Sequence, residues 1–484
     1  MFTFIPDKFL QRLVGVVATF MLIHLLIQHF QIIFFEYPLE YRENTDLYRA
    51  YLLSIGKNIF AYENFPSSHS QYGFVYPWLG SKLLSYTGIH FYPLRLITAL
   101  AILPLLGLFI WQGVKEKLIL IHLFLICGII YASYLIEVNN ISAVPNTLGL
   151  AFFCFSVLIP PLMRFNNLSL IVSCVFAGLG FFTKIYFGFG AFYILLFLVV
   201  NKNWVSFRLM LMCLIFTVIS SIVIAVYLIP AFYETNIALN VILSKWRPNL
   251  IWLQTRFFIE VFFGFFVLLA FCKWFCPQCT IFTIKNPYLF GLLLSSIILI
   301  KMGANDGAYF LYFHHLLMPF LVPLSIQIIS GSSKKVTITI LLFLNLVYIY
   351  SLDLKHNDLD LMERSFHEIE NKTALLDPKV DILYNSPTSY YAIKLKKTPN
   401  EQGQVFGLFA SNGEAGARYR AETNSIYENI LDRKYRQIFI DEWQYIKLKS
   451  LSSCYSKSET FAIVMLAQRN KTEMWVPKSQ CSTN

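Results

Sequence analysis

The chain has 484 residues, of which 56% are hydrophobic and 14% charged, against about 45–50% and 25% in ordinary soluble domains. A net charge of +11 would suit a nucleic-acid binder. However, the basic residues sit in short clusters between apolar runs, and no Lys/Arg stripe interleaves with aromatics on a polar module, so nucleic acid is excluded as a partner. A soluble helical core is excluded as well, because most of the chain before Leu352 lacks polar faces at helical spacing.

In chain order the apolar runs are Gln11–Phe35, Pro93–Trp111, Leu118–Ile136, Ser142–Met163, Leu168–Phe182, Phe187–Val200, Leu209–Ile229, Phe257–Phe275, Tyr288–Ile300, Tyr309–Ile329 and Val336–Leu352. Their lengths suit the hydrocarbon thickness of a bilayer, where only a helix satisfies its own backbone. The first run is too long for a cleavable signal peptide, and no small-x-small site precedes Glu36. The fifth and sixth flank Thr183-Lys184-Ile185-Tyr186 and read either as two spans or as one broken segment.

Basic residues orient the bundle. With Lys8 and Arg12 on the cytoplasmic side, Lys115, Lys117, Arg164, Lys202, Arg208, Lys273, Lys285, Lys334 and Lys335 fall on that side too. The opposite short loops hold Lys184 alone, Lys301 alone or none, and only Ala231–Arg256 departs from the trend. The expected fold is therefore an all-α polytopic membrane bundle of about eleven transmembrane helices. It would cover residues 1–352, including an outer loop at 36–92, and be followed by a soluble α/β domain at 353–484 outside the cytoplasm. In that domain Asp381–Leu383 and Gln437–Ile440 read as strands and Asn424–Tyr435 as a helix. Its two cysteines, Cys454 and Cys481, are expected to pair if the domain faces an oxidising space.

The first outer loop concentrates Glu36, Glu40, Glu43 and Asp46 with Tyr48, Tyr62, Tyr72 and Tyr76. Acids and aromatics beside a bilayer can present a base to a membrane-borne substrate, although a solvated loop would look similar. The pieces Asp46-Leu-Tyr-Arg-Ala50, Ile55-Gly-Lys-Asn-Ile-Phe-Ala-Tyr62, Tyr72-Gly-Phe-Val-Tyr-Pro77 and Pro93-Leu-Arg95 recur in a fixed order. Leu179-Gly-Phe-Phe-Thr-Lys184 and Lys301-Met-Gly-Ala-Asn305-Asp-Gly-Ala-Tyr309-Phe310 follow downstream. Together they resemble GT-C glycosyltransferases, especially bacterial relatives of the dolichyl-phosphate-mannose protein mannosyltransferases. Departures exist. Ser142–Gly149 lacks the Arg-x-Asp common in relatives, Asp306–Ala308 is an insertion, and Tyr312 stands where an acid often follows.

The resemblance implies a transferase of the cell envelope that moves a hexose or pentose from a polyprenyl-phosphate donor. The acceptor would be a glycan, lipid or protein on the outer face of the membrane, in the manner of a bacterial inner-membrane enzyme, and the anomeric centre would invert. It implies Asp46 as general base, with Glu43 as the fallback, and leaves open whether a divalent metal assists, since no Asp-x-Asp pair stands in the loop. Lys184, Lys301 and Arg256 are the candidate partners of the donor phosphate, because membrane-embedded charges are costly and usually functional. Tyr72, Tyr76, Asn305 and Tyr309 would contact substrate. The competing reading is a transporter or flippase of lipid-linked sugars, which would show mid-bilayer charges and inverted repeats. Only the Lys184 region and Lys301–Asp306 approach the former, and no repeat is visible. A lipid-linked polysaccharide polymerase or ligase would carry its main outer loop late in the chain, not first.

Overall fold

The described residues of every apolar run named above lie mostly on helix. The structure, a computed structural model, describes residues 7–64, 72–227, 229, 231–238, 246–278, 280–304, 311–353, 358–399, 413–441, 451–466 and 468–481. Its first helix, α1 (Asp7–Phe34), leads into two loop helices, α2 (Arg42–Ser54) and α3 (Val75–Thr87). The bundle continues through α4 (Tyr92–Lys115), α5 (Leu120–Ile136), α6 (Asn146–Leu162), α7 (Asn167–Phe181), α8 (Gly190–Val200) and α9 (Trp204–Tyr227). After a loop come α10 (Pro248–Val261), α11 (Phe263–Ala270), α12 (Pro287–Met302), α13 (Leu311–Ser330) and α14 (Lys335–Asp353).

Among the described residues, five helices are long and apolar enough to cross a membrane unaided: α1, α4, α9, α13 and α14. Apart from the loop helices α2 and α3, the others are shorter apolar helices or the bent pair α10–α11. The two extremes of burial show what the bundle is built for. On α9 the apolar Val205, Phe216 and Ile222 are all exposed, an arrangement that needs lipid on its outside. By contrast α13 is the central post, with 89% of its apolar window buried. The protein is integral to a membrane.

The run Phe257–Phe275 was expected as one span. Instead the chain turns by 87° between α10 and α11. A break in lipid leaves backbone groups without their helical partners, and something else must satisfy them. Here the Asn345 side chain of α14 does so, donating from Nδ2 to the Val261 carbonyl at 2.7 Å and accepting from the Gly264 amide at 3.0 Å. Hydropathy does not register this direction change.

The C-terminal part is α/β. Its helices α15 (Leu359–Lys372) and α16 (Glu414–Leu431) accompany a four-stranded sheet of β1 (Ile382–Leu383), β2 (Gln437–Asp441), β3 (Tyr455–Met465) and β4 (Gln468–Pro477). The strand order is β1-β2-β4-β3, with β1 parallel to β2 and the β3–β4 hairpin antiparallel. Cys454 and Cys481 are joined by a disulfide. The expected helix Asn424–Tyr435 is only partly observed: α16 begins at Glu414 and ends at Leu431, and Arg433 then takes a positive φ of 55°.

This part docks on the connection between α1 and α2. The Leu466 amide donates to the Leu39 carbonyl at 3.0 Å, and Asn44 Nδ2 donates to the Ser386 carbonyl at 2.7 Å. Tyr37 stacks on Phe366 with ring centroids 4.6 Å apart, and Lys394 pairs with Glu36 at 2.8 Å. The sheet and the first loop therefore share one end of the bundle.

Candidate active site

Helix α2 carries a polar sequence, Arg-Glu-Asn-Thr-Asp-Leu-Tyr-Arg, yet every residue from Glu43 to Ala50 is buried. A helix of that composition ordinarily keeps one face in water. Burial of all its faces means that each polar group must find a partner or stand ready for one.

Glu43 has found its partners. One oxygen accepts from the Leu39 amide and from Arg95 Nη2 at 2.6 and 2.7 Å, and the other from Arg95 Nε at 2.9 Å and the Ala143 amide. Arg95 spends its remaining donors on the carbonyls of Ile32, Phe35 and Tyr37. Neither side chain is exposed. This pair ties the end of α1, the start of α2, α4 and the segment before α6 into one knot.

Asp46, one turn further along α2, differs. It is 1% exposed, and among the described residues its carboxylate has no hydrogen-bond partner beyond the long contact to Arg49 Nη1 at 3.5 Å. Burial pushes its pKa up to about 7, opposed by the Arg49 charge and assisted by Glu40. Glu40, also buried, is raised by burial against the pull of Arg42, whose Nε donates to it at 2.7 Å.

Arg49 fastens the far side of the loop, donating to the carbonyls of Tyr72 and Gly73 at 3.2 and 3.3 Å. That segment in turn docks on the turn after α7. The Gly73 amide donates to the Thr183 carbonyl at 3.1 Å, and the Val75 amide to the Phe182 carbonyl at 3.2 Å. The approach is so close that a Cβ on Gly73 would lie 1.8 Å from the Phe182 oxygen, which is why glycine stands between Tyr72 and Phe74. Lys184 is thereby set beside the loop. Its Nζ sits 4.9, 5.2 and 5.4 Å from the ring centroids of Tyr72, Tyr186 and Tyr312 and donates to Asn146 Oδ1 at 3.0 Å. Asp46, Glu40 and Arg42 all act on it electrostatically. Behind it, Tyr186 is held by His315 at 2.6 Å, whose other ring nitrogen meets Asn140 at 3.2 Å.

Among the expected site residues, then, Asp46, Tyr72 and Lys184 come together. Tyr76 is buried nearby, donating to the Leu94 carbonyl at 2.8 Å and meeting Thr98. Arg256 lies on the exposed side of α10, paired with Glu260 at 2.7 Å, and Lys301 is exposed at the end of α12. Neither enters the buried cluster. Asn305 and Tyr309 lie outside the described residues. Arg42, Arg49 and Asn146 belong to the cluster without having been singled out for it, as do Glu40, read only as one of the loop's acids, and Tyr312, noted only as standing in place of an acid. Asn146 comes from the loop that lacks the relatives' Arg-x-Asp.

Two solved structures share this architecture. The structure of ArnT from Cupriavidus metallidurans bound to undecaprenyl phosphate matches with a TM-score of 0.63 at 10% identity, over 95% of this chain and 98% of that one. The apo state of the same ArnT matches with 0.61 at 11% identity and the same coverage. The fold is the GT-C fold. No family model matches the sequence, and no curated protein matches it.

In this GT-C bundle the cluster supplies one carboxylate met among the described residues only by the long Arg49 contact, and three cations, Arg42, Arg49 and Lys184, on an aromatic floor. Such a set can hold an oxyanion and take up a proton. It does not suit a divalent metal, which wants several oxygen ligands. The cluster sets two acids, Asp46 and Glu40, among three cations, and the described residues contain no group of three or more Asp, Glu, His or Cys able to hold an ion.

Proposed function

We propose that the protein transfers a sugar from a polyprenyl-phosphate donor to an acceptor hydroxyl, with Asp46 as general base. The observation that carries this reading is the buried Asp46 carboxylate, met among the described residues only by Arg49 at 3.5 Å and acting electrostatically on Lys184, in a bundle with the fold of an ArnT that binds undecaprenyl phosphate. An acceptor oxygen attacks the anomeric carbon as the bond from that carbon to the phosphate oxygen breaks. The hydroxyl proton passes to Asp46, and polyprenyl phosphate leaves with the bonding pair. Attack opposite the leaving phosphate inverts the anomeric centre. Lys184, with Arg42 and Arg49 behind it, meets the phosphate charge. Tyr72 lines the donor side and Tyr76 shapes the loop, with Asn305 and Tyr309 completing the substrate contacts. Glu43 is a positioning group, and Arg256 and Lys301 face lipid headgroups. The acceptor is a glycan, lipid or protein of the cell envelope.

The test is full-length protein in liposomes with a labelled polyprenyl-phosphate sugar. Transfer or release of the sugar supports the reading, whereas movement of intact donor across the bilayer without release makes the protein a transporter. Replacing Lys184 by Ala should weaken donor binding about tenfold to a hundredfold, the worth of one charged hydrogen bond, with a smaller change in the turnover of bound donor.

The site, the α/β part and its disulfide share one end of the molecule, which fits an oxidising exterior. We place the N-terminus in the cytoplasm and residues 353–484, as a separate domain after the bundle 1–352, in the periplasm or extracellular space of a bacterial inner membrane crossed about eleven times. A phosphatase fused after Leu352 should be active. An inactive fusion beside an active cytoplasmic reporter would put the span count off by one.

A further inference from the structure

At the end of the bundle opposite Asp46, the starts of α1, α5 and α14 converge around a groove of about 750 Å³. Its walls follow one stripe of α1, Lys8, Gln11, Arg12, Gly15 and Thr19, and are completed by Ile119–Ile121, Phe124 and Lys335. The stripe repeats at three and four residues, so these side chains stand in a row. Along it the chemistry changes from two cations to a glycine and a threonine whose hydroxyl is turned back onto the Gly15 carbonyl at 2.7 Å. The facing wall is apolar apart from Lys335, whose ammonium also donates to the Ile329 and Ser330 carbonyls at 2.8 and 3.3 Å. Three helix N-termini add positive potential at the same mouth, and none of the described residues that line the groove is acidic.

We propose that this groove binds an anionic phospholipid, its phosphate between Lys8, Arg12 and Lys335 and an acyl chain laid over Gly15 toward Phe124. The dimensions suit it. From Lys8 to Thr19 the helix rises about 16 Å, close to the half-thickness of the hydrocarbon core, about 15 Å. Basic pockets between membrane helices are a recurrent form of anionic headgroup recognition. Charge decides against a zwitterionic lipid, which would bring its own cation to a mouth that already holds three. Gly15 keeps the channel open: a Cβ there would meet Ile121 Cδ1 at 3.6 Å, so a larger side chain fits the backbone but fills the space.

The experiment is native mass spectrometry of the full-length protein released from detergent, titrated with phosphatidylglycerol or with phosphatidylcholine of the same chains. The wild type should retain phosphatidylglycerol about tenfold better, a difference of ~1.4 kcal/mol. The double variant Lys8→Gln/Arg12→Gln should lose the preference. Gly15→Leu, which keeps every charge, should lose binding of both lipids while its melting temperature stays near that of the wild type. Equal retention of the two lipids by wild type, or undiminished phosphatidylglycerol binding in both variants, overturns the proposal. Displacement of phosphatidylglycerol by millimolar inorganic phosphate would also overturn it, since the occupant would then be a free anion.

Discussion

Replacing Asp46 by Asn should reduce turnover about 10²–10⁴-fold, the range typical of general-base assistance, while donor binding and melting temperature are retained. Asn keeps the shape and the proximity to Arg49 but cannot take the acceptor's proton. Arg49 keeps its carbonyl partners on Tyr72 and Gly73, so the loop should stay in place. The direction of the pKa shift sharpens the expectation. Burial raises the carboxyl from its usual 3.8 to about 7, so the folded state binds the proton more tightly than the unfolded chain does. Between these values stability falls as pH rises, and above about 7 the ionised group is a net cost. At pH 8, Asp46→Asn should therefore melt at the wild-type temperature or higher. The same shift sets the activity profile: since only the ionised form is a base, turnover should fall about tenfold per pH unit below about 7 and level off above it. Wild-type turnover in Asp46→Asn would make the mechanism wrong.

The bundle was legible because hydropathy reports burial in lipid directly. The described residues of the eleven runs lie mostly on helix, although the hinge held by Asn345 and the short lengths of α5 to α8 are set by tertiary contacts that no window of residues contains. The C-terminal strands β1 and β2 showed as apolar runs. The β3–β4 hairpin did not, because Tyr455-Ser-Lys-Ser-Glu-Thr alternates weakly and is paired through long-range register. At the candidate site, Asp46 and Lys184 were singled out through the resemblance and through the cost of a charge near lipid. The arginines were missed, though a signal was present. Arg42 and Arg49 flank Asp46 at four residues before and three after, so one stretch of helix carries both the acid and its cations. What no spacing could show is that Gly73 lies against Phe182, which places Lys184 beside Tyr72 across more than a hundred residues of sequence.

Glu43→Gln should act on folding instead, and the contrast with Asp46 separates scaffold from chemistry. Glu43 and Arg95 are both completely buried. Removing the carboxylate charge leaves the guanidinium without a counter-ion, and the new amide NH₂ must face a donor: the Leu39 amide, the Ala143 amide or Arg95 itself. Breaking one side of a buried pair ordinarily destabilises by about 3–5 kcal/mol. Here the damage falls on the junction of α1, α2 and α4 that carries Asp46. The expected result is a large drop in melting temperature and in the yield of monodisperse protein, with turnover lost in proportion. Replacing both partners, as Glu43→Leu with Arg95→Met, removes the unpaired charge and should recover part of that loss, because an apolar pair of similar volume is often tolerated where half an ion pair is not. The carbonyls of Ile32, Phe35 and Tyr37 would still lack their donor, so recovery should be incomplete. If Glu43→Gln instead melts like the wild type and loses turnover, while Asp46→Asn keeps it, then the base is Glu43 and Arg95 is its activator. In that case Asp46 serves only to hold Arg49.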